Sequence, residues 1–300
     1  MKTYIGIDLG GTNVRVAKVD EAGNLLQVVK EATEVKLGTD HVMNKIIRMI
    51  ESIEGYEAVE GIGMGVPGPV NTKEGKMVMA TNLPGFQDYP IAETLTKHFN
   101  KPAYVDNDVN VACMGEAVLG AGKDKNSVYY VTISTGIGGA LVVDRKVISG
   151  KNGHAGEVGN IIIDRNREKI NHLNAGAIEN EASGTALTRK AKAVFGDDKI
   201  AHAGDLFDLA RAGNEEALQM IDTAAYDLAV MFSVIAHVAD PDIFVLGGGV
   251  MKGKDVFFDK MEAHFRSMIH TGMQSIEFKE VELAEPGIVG AAMLVKAYNK

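Results

Sequence analysis

Two stretches of this chain share one grammar, and that repeat constrains the fold more than anything else in it. Residues 4–29 begin with an apolar strand from Tyr4 to Leu9 and turn tightly at Gly10, Gly11 and Thr12. A second strand follows from Val14 to Val19, and a third from Asn24 to Val29 after a turn at Ala22 and Gly23. Residues 128–148, VYYVTISTGIGGALVVDRKVI, repeat the order: strand, Ser/Thr and glycine turn, strand, short turn at Asp144 and Arg145, short strand. Asp8, Gly10 and Gly11 fall where Ser134, Gly136 and Ile137 stand in the second copy. The shared third strand favours an internal duplication over two unrelated glycine hairpins, and a duplication predicts two similarly folded lobes.

The remaining pattern is mixed. Helical spacing predicts helices over 41–53, 178–194, 206–212, 215–221, 222–238, 255–268 and 290–298, and apolar runs predict strands over 59–66, 103–105 and 243–246. The run over 222–238 is apolar enough to be a buried helix, stopped by Asp240, Pro241 and Asp242. An α/β protein follows. Its 300 residues exceed the usual size of one hydrophobic core, so two domains are expected.

Charge narrows the partners. There are 31 basic and 40 acidic residues, a formal charge of −9 without blocks of like sign, which argues against nucleic acid. A nest of backbone N–H groups can still bind an anionic nucleotide. The N-terminus, MKTYIGID, enters a strand at once and lacks a signal-peptide pattern. No window approaches the roughly 18 consecutive apolar residues of a membrane span. The one cysteine, Cys113, cannot form an internal disulfide and suits a reducing compartment. The expected location is the cytoplasm, away from any membrane.

Chemistry concentrates at VDNDVN, 105–110, where a short strand hands over to a helix. Asp108 there is either a helix cap or a carboxylate held ionised for work by unpaired backbone N–H groups. Three glycine turns follow strands: Gly10, Gly11 and Thr12; Thr135, Gly136, Gly138 and Gly139; and Gly247, Gly248 and Gly249. Such turns let N–H groups approach phosphate oxygens, although most are turns and nothing more. None has P-loop spacing. Asp8 sits beside the first turn, where a carboxylate serves either Mg²⁺, directly or through water, or its own backbone.

Taken in order, IGIDLGGTNVRVA, GVPGPV, LPGF, VDNDVN, STGIGG, GHAGEVGN and LGGGV resemble the ROK sugar kinases across nearly the whole chain. The resemblance implies the two-lobed actin-like ATPase (ribonuclease H-like) fold, each lobe a mixed sheet flanked by helices. Residues 1–115 with 285–300 would form a smaller lobe carrying the first phosphate turn, and 116–284 a larger one carrying the second and the adenosine side. It implies ATP and Mg²⁺, the latter at Asp8. Asp108 matches the base that deprotonates the sugar 6-hydroxyl, and Asn107, Glu157 and Glu179 match sugar contacts. Gly68 and Asn82 fall in loops lining the sugar pocket. Gly10, Gly11, Thr12, Thr135 and Gly136 match the phosphate turns, and Gly247 and Gly248 the nucleotide side. No DNA-binding extension precedes residue 1, so the kinase branch is expected over the repressor branch, acting on a small sugar, most simply glucose, and forming a homodimer. Other hexoses, N-acetylmannosamine or a β-glucoside are the enzymatic alternatives, and a sugar-sensing or actin-like ATPase module the non-enzymatic one.

The sequence departs from the family at its structural zinc. Asn160 stands at the position of a histidine ligand, and Ile170, His172 and Ala177 stand where cysteines are usual. A thiolate zinc site is therefore not expected, since Cys113 lies elsewhere. His154 and His172 fit polar or sugar-facing roles better than a metal. Packing is expected to brace this wall instead, with Asn160 reaching the sugar.

Overall fold

Successive side chains of a strand point to opposite faces, so the alternation in the first apolar runs prepares a sheet with two distinct sides. In the computed structural model, which describes residues 1–80 and 83–299, β1 (Thr3–Leu9) and β2 (Asn13–Asp20) form the expected hairpin and β3 (Leu25–Ala32) extends it. Helix α1 (Thr39–Glu51) leads to β4 (Ile62–Val66), which runs parallel to β1. A small hairpin, β5 (Val70–Asn71) with β6 (Lys76–Met77), and α2 (Ile91–Phe99) follow. Then come β7 (Ala103–Asn107), parallel to β4, and α3 (Asp108–Val118). The sheet order is β3-β2-β1-β4-β7.

The second copy follows the same plan. It starts with β8 (Ser127–Ile133), β9 (Ile137–Val143) and β10 (Lys146–Val147), and continues with α4 (Glu179–Ala182), α5 (Gly184–Phe195), α6 (Ala203–Arg211) and α7 (Glu215–Ala239). It closes with β11 (Ile243–Gly247), α8 (Lys254–Met268), β12 (Glu277–Glu280) and α9 (Pro286–Tyr298). Its sheet runs β10-β9-β8-β11-β12, so both sheets place the third, second and first strands of a copy beside two later strands. The duplicated α/β architecture, with mixed sheets flanked by helices, is thus realised in the topology.

By packing, the chain forms two compact units: Met1–Tyr130 with Ala140–Gly156 and Val281–Lys300, and Val131–Gly139 with Glu157–Glu280. In the first, Ile5, Ile7 and Leu9 share a buried cluster with Val14, Val16, Met64 and Val66 and with Ile46, Met49 and Ile50 of α1. The opposite face sends Tyr4, Ala17 and Val19 into a cluster with α9. There β4 offers glycine at Gly63 and Gly65, and a Cβ on Gly63 would lie 1.7 Å from the Ala291 carbonyl oxygen. Helices α3 and α9 touch just as closely, since a Cβ on Gly290 would lie 1.6 Å from the Val111 carbonyl oxygen. In the second unit Phe232 of α7, Phe244 of β11, Phe265 of α8 and Phe278 of β12 pack ring on ring at 5.0–6.0 Å.

Several elements differ from the pattern-based expectation. The helix predicted over 178–194 breaks at Ser183, whose side chain accepts a hydrogen bond from the Ala186 N–H and caps α5. The two predicted helices over 215–238 are one, α7, capped by Asn214 and ended by a left-handed Asp240. Nothing in the apolar pattern predicts the short α2 or the charged β12. Among the described residues, α7 is the one helix long and apolar enough to cross a membrane, and 56% of its 18-residue apolar window is buried in the protein.

Candidate active site

Strand register in the first unit lines up one row of residues. Arg15 pairs with Asp8, Asp8 with Gly65 and Gly65 with Asp106. Arg15 donates to Asp8 Oδ2 at 2.5 Å and to Glu285 Oε2, at the start of α9, at 2.5 Å. Gly65 leaves a gap in the row, and the first turn of α3 fills it. A Cβ at Gly65 would meet Val111 Cγ2 at 2.7 Å, with the Asp108 Cα 3.6 Å away. The site lies at the carboxyl ends of parallel strands, the usual ligand edge of such sheets.

The handover from β7 to α3 assigns a separate task to each residue of VDNDVN. Asp106 is 2% exposed, and its Oδ1 accepts from the Asn107 N–H and from Asn110 Nδ2, both at 2.7 Å. Burial pushes its pKa up to about 6 against these donors and the Ser149 hydroxyl. The cap of α3 is Asn107 rather than Asp108: its Oδ1 accepts from Val109 N–H at 2.8 Å and Asn110 N–H at 3.3 Å. Its Nδ2 donates to the Gly68 carbonyl at 3.0 Å, which leaves one amide hydrogen for a ligand. Asp108, partly buried, is the first helical residue, and its Oδ1 accepts from the Val109 N–H at 2.9 Å. Its pKa is likewise pushed up to about 6, first by burial and then by the charge of Asp8. In the first glycine turn Gly10 N–H donates to Asn13 O at 2.9 Å, Thr33 Oγ1 to Gly10 O at 2.6 Å, and Thr33 N–H to Thr12 O at 2.9 Å. Asn82 lies outside the described residues.

The second unit organises its residues around the other turn. Ser134 N–H donates to Gly136 O at 2.8 Å, and Gly184 N–H at the start of α5 donates to Ser134 O at 2.7 Å. Glu179, the first residue of α4, accepts from the Ile137 N–H at 2.8 Å. Its carboxylate would stand 2.5 Å from a Cβ on Gly136 and 3.1 Å from one on Gly159, so the Val158–Asn160 turn and the glycine turn both press on it. Glu157, which opens that turn, and Asn160, which closes it, are both exposed. Ser134, Thr135, Gly184, Arg189, Lys192, His202, Phe207, Gly249 and Lys252 are among the residues lining a cavity of about 660 Å³. Gly247 ends β11, and Gly248, at φ 93°, turns its backbone against Ile133, a position closed to other residues.

The model of the ROK family matches residues 4–298 of this sequence. The chain belongs to the ROK family. It is 29% identical over 306 residues to the glucokinase of Thermotoga maritima, a match covering 97% of this chain and 96% of that one. Among solved structures, the ROK hexokinase from Thermus thermophilus aligns with a TM-score of 0.87 at 31% identity, covering 99% of this chain and 98% of the other. A ROK family glucokinase from Streptomyces griseus, in complex with glucose and AMPPNP, aligns at 0.77 and 27% identity, covering 98% and 99%. The expected actin-like ATPase fold is the fold of this ROK chain.

In this ROK chain the segment 160–178 holds together differently from the packing expected for it. Asn160 Oδ1 accepts from the Asn174 N–H at 2.8 Å, Ile178 N–H donates to Ile161 O at 2.9 Å, and Ile163 N–H to Gly176 O at 3.0 Å. The side-chain amides of Asn171 and Asn180 exchange hydrogen bonds at 3.0 Å. The brace is therefore polar. Ile170 and His172 are exposed, while Ala177 is buried. Sequence reasoning passed over Arg15, Asp106 and Glu285, and also the cations of the second unit's cavity. Only Arg15 left a readable signal, because a hairpin turning at residues 10–12 pairs it with Asp8.

Proposed function

We propose that the protein is an ATP-dependent hexose kinase that transfers the γ-phosphate to the sugar 6-hydroxyl, with glucose the preferred acceptor. Asp108 carries the reading. A partly buried carboxylate on the first helical residue after a parallel strand, with its pKa pushed up to about 6 by burial and by Asp8, is poised to take a proton from an alcohol near neutral pH. Asp108 removes the hydroxyl proton as the oxygen attacks, and the remaining amide hydrogen of Asn107 orients a sugar oxygen. Glu157, Asn160 and Glu179 take the other hydroxyls, with Gly68 and Asn82 on the pocket loops. Gly10, Gly11, Thr12, Thr135 and Gly136 serve the phosphates. The cavity of about 660 Å³, lined by Gly249 next to Gly247 and Gly248, suits a nucleoside, and those two glycines serve the nucleotide side.

Among the described residues no group of three or more His, Cys, Asp or Glu side chains is arranged to hold a metal. Mg²⁺ needs no such cage, since it takes one or two carboxylates and completes its shell with water and phosphate oxygens. Asp8, close enough to perturb Asp108, suits that part. The ion, when bound, neutralises phosphate charge.

The choice of glucose rests on the glucokinase relative and on the glucose and AMPPNP bound in the Streptomyces griseus structure. The second reading, a kinase for another hexose or for N-acetylmannosamine, is favoured by Asn160 at a position where the family carries histidine. Coupled assays over a sugar panel with ATP separate the two by their kcat/KM ranking. No turnover on any sugar would leave a sensing module as the better reading. The proposal also places the enzyme in the cytoplasm as a homodimer, and a monomer by sedimentation would remove the latter.

A further inference from the structure

Residues 161–178 make a long connection without regular helix between the Val158–Asn160 turn and α4, and a guanidinium fastens it. We propose that Arg167 is a positioning residue: it ties this connection to α4 and α7 and so keeps Glu179 on the Ile137 N–H. That this sets the grip on sugar hydroxyls rests on the kinase reading above. The tie itself does not.

Arg167 Nη1 donates to Glu181 Oε2 at 2.8 Å and to Asp227 Oδ2 at 2.6 Å, while Nη2 donates to Asp227 Oδ1 at 2.7 Å. The two carboxylates are nearly sequestered from water, at 2% side-chain exposure for Asp227 and 6% for Glu181. Lys190 Nζ supplies a second cation to Glu181 Oε2 at 2.6 Å, so two buried acids meet two bases. A bidentate fork fixes direction as well as distance, which an ammonium cannot do. Direction matters because α4 has only four residues, Glu179–Ala182. A helix that short has almost no cohesion of its own, and its tertiary ties decide where it lies. Its first residue is held by the Ile137 N–H and its third by Arg167. Slack at Glu181 is therefore passed over two residues to Glu179.

The test uses Arg167→Lys and Asp227→Asn in the full chain, with Arg167→Ala as a harsher variant that risks misfolding by leaving Asp227 buried and unpaired. Hydrogen exchange is followed in peptides covering 134–140 and, as an internal control, 3–20. The expected result is exchange about tenfold faster at Ile137 in both conservative variants, with the control unchanged. The KM for hexose is expected to rise about tenfold, with kcat changed by less than about threefold. Unchanged exchange at 134–140 in both variants would overturn the proposal, and so would equal acceleration in the control, which would mark a purely global effect. Local acceleration in a protein that turns over no sugar would uphold the tie and remove only the kinase reading.

Discussion

A carboxylate that must accept a proton near neutral pH works best where water is scarce and another negative charge is close, and Asp108 has both. Its pKa lies at about 6, above the ordinary 3.8, and the base form is the ionised one. The kcat/KM of the kinase is therefore expected to fall as pH drops through about 6, and a profile flat down to pH 4.5 would contradict the assignment. Asp108→Asn should lower turnover by on the order of 10²-fold or more, with sugar binding by calorimetry largely kept. A fully active variant would remove Asp108 from the role of base. Asp106 and Asp108 also make the site a weak point of the fold. Both pKa values are raised on folding, so the stability they add is present below the unfolded value near 3.8 and is lost as pH rises through about 6. Asp106→Asn keeps an acceptor for the Asn107 N–H and removes the buried charge. The expected outcome is an unfolding free energy higher than the parent's by on the order of 2 kcal/mol at pH 8, read as a higher Tm, and no difference near pH 4. A lower Tm at pH 8 would mean that the ionised carboxylate is better paired than its burial suggests.

At the scale of elements, α3 and α9 act as a pair. Helix α3 carries Asp108 at one end and the fully buried Glu116 near the other, where the Glu116 carboxylate accepts from Ala121 N–H at 2.8 Å and Leu283 N–H at 2.9 Å. That anchors the chain just before α9. The helices then meet backbone to backbone at Gly290, and a methyl group there has no room. Gly290→Ala is expected to push α9 off α3 and lower stability by about 3 kcal/mol, read as a fall in the denaturation midpoint. Because Glu285 and Gly287 border Asp8 and Arg15, the same variant should lower turnover while leaving the second unit's cavity undisturbed. Unaltered stability would show that the helices separate at little cost.

For the whole molecule, what could be read in the sequence was local. The two hairpins with their third strands announced both sheets, since glycine turns and alternation act over a few residues. The row Arg15, Asp8, Gly65 and Asp106 was legible only at its hairpin end. The parallel register from β1 to β4 to β7 joins strands far apart in sequence, and alternation does not choose it. Strand β12, Glu277–Glu280, carries mostly charge and was silent for that reason. The cap was misplaced by one residue, because Asn107 and Asp108 are equally good caps until the strand's end is known. The Arg167 brace was invisible too, its three members lying on separate elements. Helix α9 adds a matter of timing. It is translated long after β1 and β2, yet it covers Tyr4, Ala17 and Val19 of those strands. While the chain is still on the ribosome those side chains lack their cover, and Arg15 waits for Glu285 to arrive. The run Glu157–Glu280 has been translated by then. A chain stalled before residue 281 would hold both hairpin glycine turns and Asp108 itself, yet lack Glu285 and the cover of α9.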